Sequence, residues 1–183
     1  NLANVYPIKF DLSKDIETQI QPLLNKIEGV DILINNAGIL IKKPFDKITI
    51  EDLQTSYQVN VFGIIKTIQL CLNNFNSNSH IVNISSMGAY QGSVKFPELS
   101  AYSSSKAAIC NITEMFAEEY KNTEIKINCL CLGAVQTEML NKAFPDYNAP
   151  LNANEMAKYI CDFAINGHKF FNGKVLPVSL STP

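Results

Sequence analysis

Two neighbouring stretches decide how this chain is interpreted: Ile81-Val-Asn-Ile-Ser-Ser-Met87 and Ser100-Ala-Tyr-Ser-Ser-Ser-Lys-Ala-Ala108. The β-branched run at 81–84 predicts a buried strand that ends at two serines. The second stretch predicts the start of a helix, on which Tyr102 and Lys106 lie one turn apart on the same face. A phenol beside an ammonium group, facing a hydroxyl at a strand end, indicates acid–base chemistry.

The chemistry that these side chains offer is proton transfer to or from a carbonyl/alcohol pair. An unperturbed tyrosine has a pKa of about 10, and a nearby cation lowers that pKa because it favours the phenolate. We therefore predict that Lys106 lowers the pKa of Tyr102, which donates or accepts the proton while Ser86 holds the oxygen. A tyrosine and a lysine at this spacing also occur by chance on half-exposed helices. The prediction therefore depends on the position of the pair directly after a strand that ends in two serines.

Composition indicates one globular domain and narrows its partners. The chain has 183 residues, 46% of them apolar, and a formal net charge of −2, which predicts a single domain over 1–183 with a full core. All 15 basic residues are scattered lysines, and this argues against nucleic acid as a partner. No apolar run approaches the ~18 residues of a membrane span and no secretory leader is found, so no membrane association is predicted.

The cysteines are odd in number and lie in apolar segments, at Cys71, Cys110, Cys129, Cys131 and Cys161. No Cys-x-x-Cys pair or histidine-rich cluster accompanies them. We interpret them as reduced core thiols rather than as a disulfide or metal framework, and we predict a cytoplasmic location and no metal site.

Apolar and β-branched content predicts five strands, which lie at 4–10, 30–35, 81–84, 125–130 and 174–178. The strand at 30–35 is continuous and apolar enough to be buried on both faces. The last strand is predicted at a sheet edge because Pro177 cannot donate a hydrogen bond to a ladder.

Apolar residues at helical spacing predict helices between these strands. The first helix is expected to have Ser13 as N-cap and Gly29 as its stop, and Thr49 is expected to cap a long helix that reaches about residue 74. Two more helices are predicted, at 101–120 and 154–165. The segment 133–150 between them is expected to be irregular.

This alternation of strands and helices predicts right-handed βαβ units. The predicted fold class is a three-layer α/β/α, doubly wound Rossmann-type domain with a mostly parallel sheet. In such sheets ligands bind beyond the carboxyl ends of the strands. Small or polar residues stand at those ends, namely Asp11, 36–38, 85–86 and Gly133. We therefore predict a nucleotide-sized cleft at this edge of the sheet.

Five motifs, in order, resemble those of the short-chain dehydrogenases/reductases over residues 5–178. They are Asn35-Asn-Ala-Gly38, Asn60 inside the long helix, Ser86, Tyr102-x-x-x-Lys106 and Gly133-Ala-Val-Gln-Thr137. The resemblance implies an oxidoreductase that uses NAD or NADP and transfers a hydride between nicotinamide and a carbonyl or secondary alcohol. Reduction of a 3-oxoacyl or small carbonyl compound is the expected direction. A homodimer or homotetramer, formed through the helices near 49–74 and 101–120, is also implied.

The resemblance implies four catalytic residues. Tyr102 is similar to the family's acid/base, and Lys106 to the residue that lowers the tyrosine pKa and holds the nicotinamide ribose. Ser86, the second serine of the pair, matches the hydroxyl that orients the substrate, with Ser85 as the alternative. Asn60 is similar to the asparagine that kinks its helix and anchors a water in the proton relay.

Three segments are similar to the family's cofactor contacts. Asp11 and Leu12 are similar to the segment that contacts adenine. Asn36, Ala37 and Gly38 are similar to the loop under the adenosine ribose, and Gly133, Val135 and Thr137 to the segment that contacts the nicotinamide carboxamide. Outside these segments, Phe144 and Tyr147 are expected to cover the substrate, with ordinary packing as the alternative. The methionines, Met87 and Met139 among them, are interpreted as core or loop fillers.

Two departures from the family's pattern affect the interpretation. Leu132 stands where the family usually has proline, which loosens a turn but removes no catalytic atom. No Gly-x-x-x-Gly-x-Gly occurs in the sequence, although the family seats the pyrophosphate on such a turn at a helix N-terminus. The family's sheet order, 3-2-1-4-5-6-7, would leave the first strand of this chain unpaired. We therefore expect an N-terminally incomplete fold, with roughly 45 to 60 further residues upstream.

A competing hypothesis follows from the missing turn. The chain could be a catalytically silent fragment or a nucleotide-sensing relative without a functional pyrophosphate site. The complete Ser-Tyr-Lys-Asn set favours the enzyme, because a silent relative has no chemical use for all four side chains.

Overall fold

The computed structural model describes residues 5–180, and a parallel sheet of four strands forms its centre. The strands of this sheet lie side by side in the order β1 (Val30–Asn35), β2 (Phe75–Ser86), β3 (Lys126–Leu132) and β6 (Lys174–Val178). Every neighbouring pair runs parallel. Two short strands, β4 (Val135–Gln136) and β5 (Leu151–Asn152), form a separate parallel pair. The predicted parallel sheet is confirmed, and β6 lies at its edge as predicted.

Helices lie on both faces of the sheet. Within residues 5–180 they are α1 (Ile16–Leu24), α2 (Ile50–Tyr57), α3 (Gly63–Cys71), α4 (Ser100–Glu119), α5 (Glu138–Ala143) and α6 (Ala153–Asn166). α3 and α4 pack on one face of β2 and β3, and α6 covers the other. The three-layer α/β/α architecture is therefore confirmed.

Alternating side chains along the central strands serve the two faces. On β2, Ile81 is fully buried against α3 and α4, whereas its neighbour Val82 is fully buried against α6. On β3, Ile127 and Leu130 divide in the same way. Successive residues of a strand point to opposite faces, so a strand covered on both sides buries consecutive apolar residues, such as Ile81 and Val82. β2 extends beyond the predicted 81–84 at both ends, whereas β3 begins one residue later than the predicted 125–130 and ends two residues later.

β1 departs from the prediction because it is an edge of the described sheet. Among residues 5–180 it pairs on one side only, with β2. Ile32 and Ile34 are 38% and 37% exposed, so burial on both faces was wrong for this strand. The apolar composition correctly predicted a strand, but the exposure of its side chains depends on which elements pack against it.

The strand predicted at 4–10 is not formed by its described part, since residues 5–10 have no strand pairing. Asn4 lies outside the described residues. Val5 and Tyr6 are 58% and 79% exposed. An extended segment forms a strand only when a neighbour supplies the ladder, and no described strand lies beside this one.

α1 begins and ends at residues other than those predicted. Its N-cap is Asp15, whose side chain accepts from the Glu17 N–H. The Ser13 hydroxyl instead donates to the Asp11 carboxylate at 2.6 Å, so it does not cap the helix. The helix ends at Leu24 with Asn25 as C-cap, well before Gly29.

The long helix predicted after Thr49 is interrupted by one wide turn. Thr49 caps α2, as predicted, and the structure adds that Asp52 completes a reciprocal capping box. α2 and α3 are then joined by a π-helical turn at Gln58–Phe62, which has Asn60 at its centre. Wide turns of this kind insert an extra residue into a helix and are frequent at functional sites.

The segment 133–150 is more ordered than predicted. It contains β4 and α5, and the Thr137 side chain caps α5 by accepting from the Leu140 N–H. The short elements were missed because each is too short to show a periodic pattern. Among residues 5–180, no helix is both long enough and apolar enough to cross a bilayer.

Candidate active site

A cavity of about 510 Å³ opens beyond the carboxyl ends of β1, β2 and β3. Eight of the residues predicted from the sequence line it: Asn36, Gly38, Ser86, Tyr102, Lys106, Gly133, Val135 and Thr137. Because the strands are parallel, their carboxyl ends meet at one edge of the sheet. The structure therefore brings these residues together at the place that the alternation of elements predicted.

Four other predicted site residues lie outside the lining of this cavity. Asp11 accepts hydrogen bonds from the Ser13 N–H and hydroxyl, and Leu12 is buried among the apolar residues of α1. Ala37 is exposed, and Asn60 lies behind the cavity wall. The adenine and ribose contacts of Asp11, Leu12 and Ala37 remain predictions.

The two serines at the end of β2 face in different directions. The Ser86 hydroxyl is near enough to the Tyr102 phenol to lower the pKa of that phenol, and its Oγ accepts from the Gly88 N–H at 3.3 Å. Ser85 turns into α4, where its hydroxyl donates to the Lys106 carbonyl at 2.9 Å. This alternation follows from the pleat of the strand, and it gives Ser86 the position beside the phenol.

The pKa of Tyr102 differs from the prediction. Burial raises this pKa above the usual 10.0, and the nearby Ser86 hydroxyl offsets the rise only in part. The prediction that Lys106 lowers this pKa was wrong for the protein alone. The Lys106 ammonium instead donates to the Ile84 carbonyl at 2.8 Å, and desolvation of the phenolate is the main cause of the upward shift.

Lys106 is a buried cation at the cavity wall, only 3% exposed. Burial lowers its pKa to about 8, because desolvation disfavours the ammonium form. Gly38 lies against it: a Cβ at Gly38 would be 3.2 Å from the Lys106 Nζ and 3.0 Å from the Asn60 Oδ1. Only a hydrogen fits there without displacement, so glycine keeps this part of the cavity open.

Asn60 is fully buried and joins the loop after β1 to α4. Its Oδ1 accepts from the Ile39 N–H at 2.9 Å, and its Nδ2 donates to the Ile39 carbonyl at 3.0 Å. The same Nδ2 lies 3.0 Å from the Ser105 Oγ. The amide therefore fixes Gly38 and Ile39 relative to the helix that carries Tyr102 and Lys106.

Comparison with known proteins agrees with these motifs. A family model described as short chain dehydrogenase matches residues 2–148, which is most of the chain. The chain belongs to this family. The family model therefore confirms the resemblance that the motifs indicated.

Two curated relatives are similar to this member of the short-chain dehydrogenase family. An L-2,3-butanediol dehydrogenase of Corynebacterium glutamicum is 37% identical over 128 residues, covering 68% of this chain and 48% of the relative. A diacetyl reductase [(S)-acetoin forming] of Staphylococcus aureus is 32% identical over 129 residues, covering 69% and 49%. The chain thus spans about half the length of the curated relatives it matches.

A solved structure shows the same fold. The 3-ketoacyl-(acyl-carrier-protein) reductase of Brucella melitensis, complexed with NADH, has a TM-score of 0.81 and 24% sequence identity to this family member. The match covers 93% of this chain and 75% of that one.

Apolar side chains that sequence reasoning overlooked form much of the cavity wall. They come from four separate segments and include Leu40, Met87, Phe96, Leu99, Met139 and Leu140. Met87 is a buried core residue, as predicted, but it also borders the cavity, as Met139 does. Phe144 and Tyr147 line the cavity as well. A loop residue such as Phe96 carries no periodic signal, so only the fold reveals its position.

The shifted pKa of Lys106 predicts a dependence of stability on pH. Its pKa is about 8 in the folded chain and about 10.4 when unfolded. Between about pH 8 and about pH 10.4 the lysine is protonated in the unfolded chain but neutral in the folded one. The cost of burying the ammonium therefore lowers the free energy of unfolding fully below about pH 8, and this cost decreases as the pH rises. We expect the free energy of unfolding, relative to a Lys106→Met variant, to rise by about 1.4 kcal/mol per pH unit in this window.

Urea unfolding of the two proteins between pH 7 and 11 measures this difference. Lys66→Met, at a half-exposed lysine paired with Glu17, is the control, and its difference should stay nearly flat. A flat difference for Lys106→Met as well would show that the buried amine keeps an ordinary pKa.

Proposed function

We propose that this cavity is a site of hydride transfer between NAD or NADP and a small carbonyl compound or secondary alcohol, with reduction as the favoured direction. The observation that carries the proposal is the meeting of Tyr102, Ser86 and Lys106 at one cavity. A proton donor, a hydrogen-bond donor for an oxygen and a cation are the groups that reduction of a carbonyl requires from a protein.

Tyr102 is proposed to transfer the proton. In the reductive direction its hydroxyl donates to the carbonyl oxygen as negative charge develops there, and Ser86 donates a hydrogen bond to the same oxygen. The raised pKa of Tyr102 keeps the phenol protonated at neutral pH, which suits a proton donor. A cation near the phenol stabilises the phenolate left behind, and Lys106, one helical turn away, is proposed for this role.

The cavity wall fits the nicotinamide end of such a cofactor. Lys106 offers an ammonium group beside Gly38, where the lack of a side chain leaves room for a sugar to approach. Asn36 and Thr137 add polar groups to the same wall. When bound, the nicotinamide supplies the hydride. The residues of this chain hold it against the substrate, and Asn60 is proposed to keep Gly38 and any relay water in place.

The substrate is proposed to be a small carbonyl compound. The apolar wall formed by residues such as Phe96, Met139 and Phe144 excludes water and accepts alkyl groups. The names of the two curated relatives, which concern butanediol and diacetyl, point to compounds of this size. The alternative substrate is a 3-oxoacyl compound, because the structural relative is named a 3-ketoacyl-(acyl-carrier-protein) reductase. Diacetyl is therefore the first substrate to test.

Assembly is proposed to use the outer faces of α3 and α4. These faces form a shallow apolar depression lined by Ile65, Leu72, Ile112 and Phe116, and Met115 beside them is 52% exposed. Such a surface suits a homodimer or homotetramer. The location is proposed to be the cytoplasm, where the five free thiols stay reduced.

Oxidation of NADH or NADPH in the presence of diacetyl tests the function. We expect Ser86→Ala to lower kcat/KM about 10²-fold, because one donor to the developing oxyanion is lost. Ser85→Ala should instead lower stability by about 1 kcal/mol, since the bond to the Lys106 carbonyl is lost, with a much smaller change in kcat/KM.

Equal losses in the two serine variants would contradict the role given to Ser86. If the chain binds neither cofactor and consumes neither, the hypothesis of a silent fragment replaces the enzyme.

A further inference from the structure

Three cysteine sulfurs converge where α4 packs on β3. The Cys110 Sγ lies 3.9 Å from the Cys129 Sγ and 3.6 Å from the Cys131 Sγ, and all three sulfurs lie within 4.8 Å of one another. Cys129 and Cys131 share a face of β3 because they are two residues apart. Cys71, Cys129 and Cys131 are buried, as predicted for core thiols, whereas Cys161 is exposed. The convergence of three sulfurs is a feature of the tertiary structure.

We propose that Cys110, Cys129 and Cys131 form a site for one soft, thiophilic metal ion, bound through three sulfurs. Thiolate sulfur selects soft ions such as Zn²⁺, Cd²⁺ and Cu⁺ over Mg²⁺ or Ca²⁺, which prefer oxygen. No histidine or carboxylate joins this cluster within residues 5–180, so the donor set is entirely sulfur.

The distances between the sulfurs suit three-coordinate binding. Zinc–sulfur bonds are about 2.3 Å long, so an ion at the centre of a sulfur triangle needs sulfurs about 4.0 Å apart. The separations from the Cys110 Sγ, 3.6 Å and 3.9 Å, fall a few tenths of an ångström short of this. The third separation, between Cys129 and Cys131, is also within 4.8 Å, so the triangle is close to the size that such an ion needs.

The surroundings compensate the charge of the bound complex. A divalent ion displaces three thiol protons to solvent, which leaves one net negative charge. The Lys106 ammonium is near enough to interact with all three sulfurs, and its charge offsets that of the complex. The Ser85 hydroxyl, 3.3 Å from the Cys110 Sγ, adds a polar group. Such compensation is what a buried charge requires.

The three cysteines differ in burial. Cys129 and Cys131 are fully buried, whereas Cys110 on α4 is only partly buried. Cysteines that serve only as small apolar residues pack well without binding metal, so the two interpretations differ in a measurable property.

Titration of the reduced chain with Cd²⁺ alone distinguishes them, through the ultraviolet sulfur-to-cadmium charge-transfer band. We expect one ion per chain and three sulfur neighbours by X-ray absorption at the cadmium edge. Loss of a residue that only supports a metal ligand weakens metal binding about 10- to 100-fold. Loss of a ligand itself, in Cys110→Ser, should therefore weaken the affinity for Cd²⁺ by about 100-fold. Cys161→Ser, at an exposed cysteine outside the cluster, is the matched control and should keep the affinity.

Several results would overturn the proposal. One is an unchanged band in Cys110→Ser, and another is a band that disappears in Cys161→Ser. Fewer than three sulfur neighbours in the wild-type chain would do the same. Circular dichroism checks that Cys110→Ser is folded, and the coordination number of the wild-type chain decides the question independently of any variant.

Discussion

Replacing Tyr102 by phenylalanine is expected to lower kcat/KM for carbonyl reduction by about 10³-fold, since a positioned acid contributes 10²- to 10⁴-fold. The substitution removes the hydroxyl that interacts with Ser86 and leaves the ring in place. Packing is conserved, so binding of NADH should change little. The measurement is steady-state oxidation of NADH with diacetyl, together with a fluorescence titration of NADH.

Tyr159→Phe is the matched control for this prediction. Tyr159 stacks on Phe163 in α6, on the face of the sheet opposite α4, and is 43% exposed. Its hydroxyl should be dispensable, with kcat/KM unchanged. If Tyr102→Phe retained most of the activity, another group or a water would be the proton donor, and the proposed mechanism would fail.

Replacing Asn60 by alanine is expected to lower the free energy of unfolding by about 4 kcal/mol, since each buried polar group left unpaired costs about 1–3 kcal/mol. The change removes both hydrogen bonds to the backbone of Ile39 and the bond to Ser105. The site is fully buried, so water does not easily take over these bonds. Urea unfolding followed by circular dichroism measures the loss.

Gln54→Ala is the control for Asn60→Ala. Gln54 lies on the preceding helix α2 and is exposed, so the loss of its amide should change stability by less than about 0.5 kcal/mol. A loss below about 1 kcal/mol for Asn60→Ala would show that the loop after β1 is held by other contacts. Asn60 would then no longer explain how Gly38 is kept beside Lys106.

Tyr102 and Asn60 illustrate how much of the site the sequence could predict. A strand ending in Ser85-Ser86, followed by a helix with Tyr102 and Lys106 on one face, is enough to place a hydroxyl, a phenol and an ammonium near one another. The reason is general: parallel strands bring their carboxyl ends to one edge, and helical spacing determines which side chains share a face. Asn60 was singled out by family resemblance, but its bonds to Ile39 and Ser105 were not predictable.

Predictions failed where burial depends on neighbours distant in sequence. The apolar composition of β1 did not show that its outer edge is exposed, and the strand predicted at 4–10 has no described partner. The pKa of Tyr102 is raised because burial desolvates the phenolate, and Lys106, which the local sequence places one turn away, donates to the Ile84 carbonyl instead. Local sequence patterns indicate whether a segment is a helix or a strand. The exposure and desolvation of its side chains depend instead on which other elements pack against it.

The sequence by itself therefore determined the parallel α/β architecture, the edge at which ligands bind and the residues that provide acid–base chemistry. Only the tertiary structure decided which serine faces the phenol, which apolar side chains enclose the cavity and how strongly Lys106 is desolvated. It alone brought Cys110 within reach of Cys129 and Cys131, which lie 19 and 21 residues further along the chain. Periodic patterns act over a few residues, and contacts between a helix and a strand across such separations are set by the packing of whole elements.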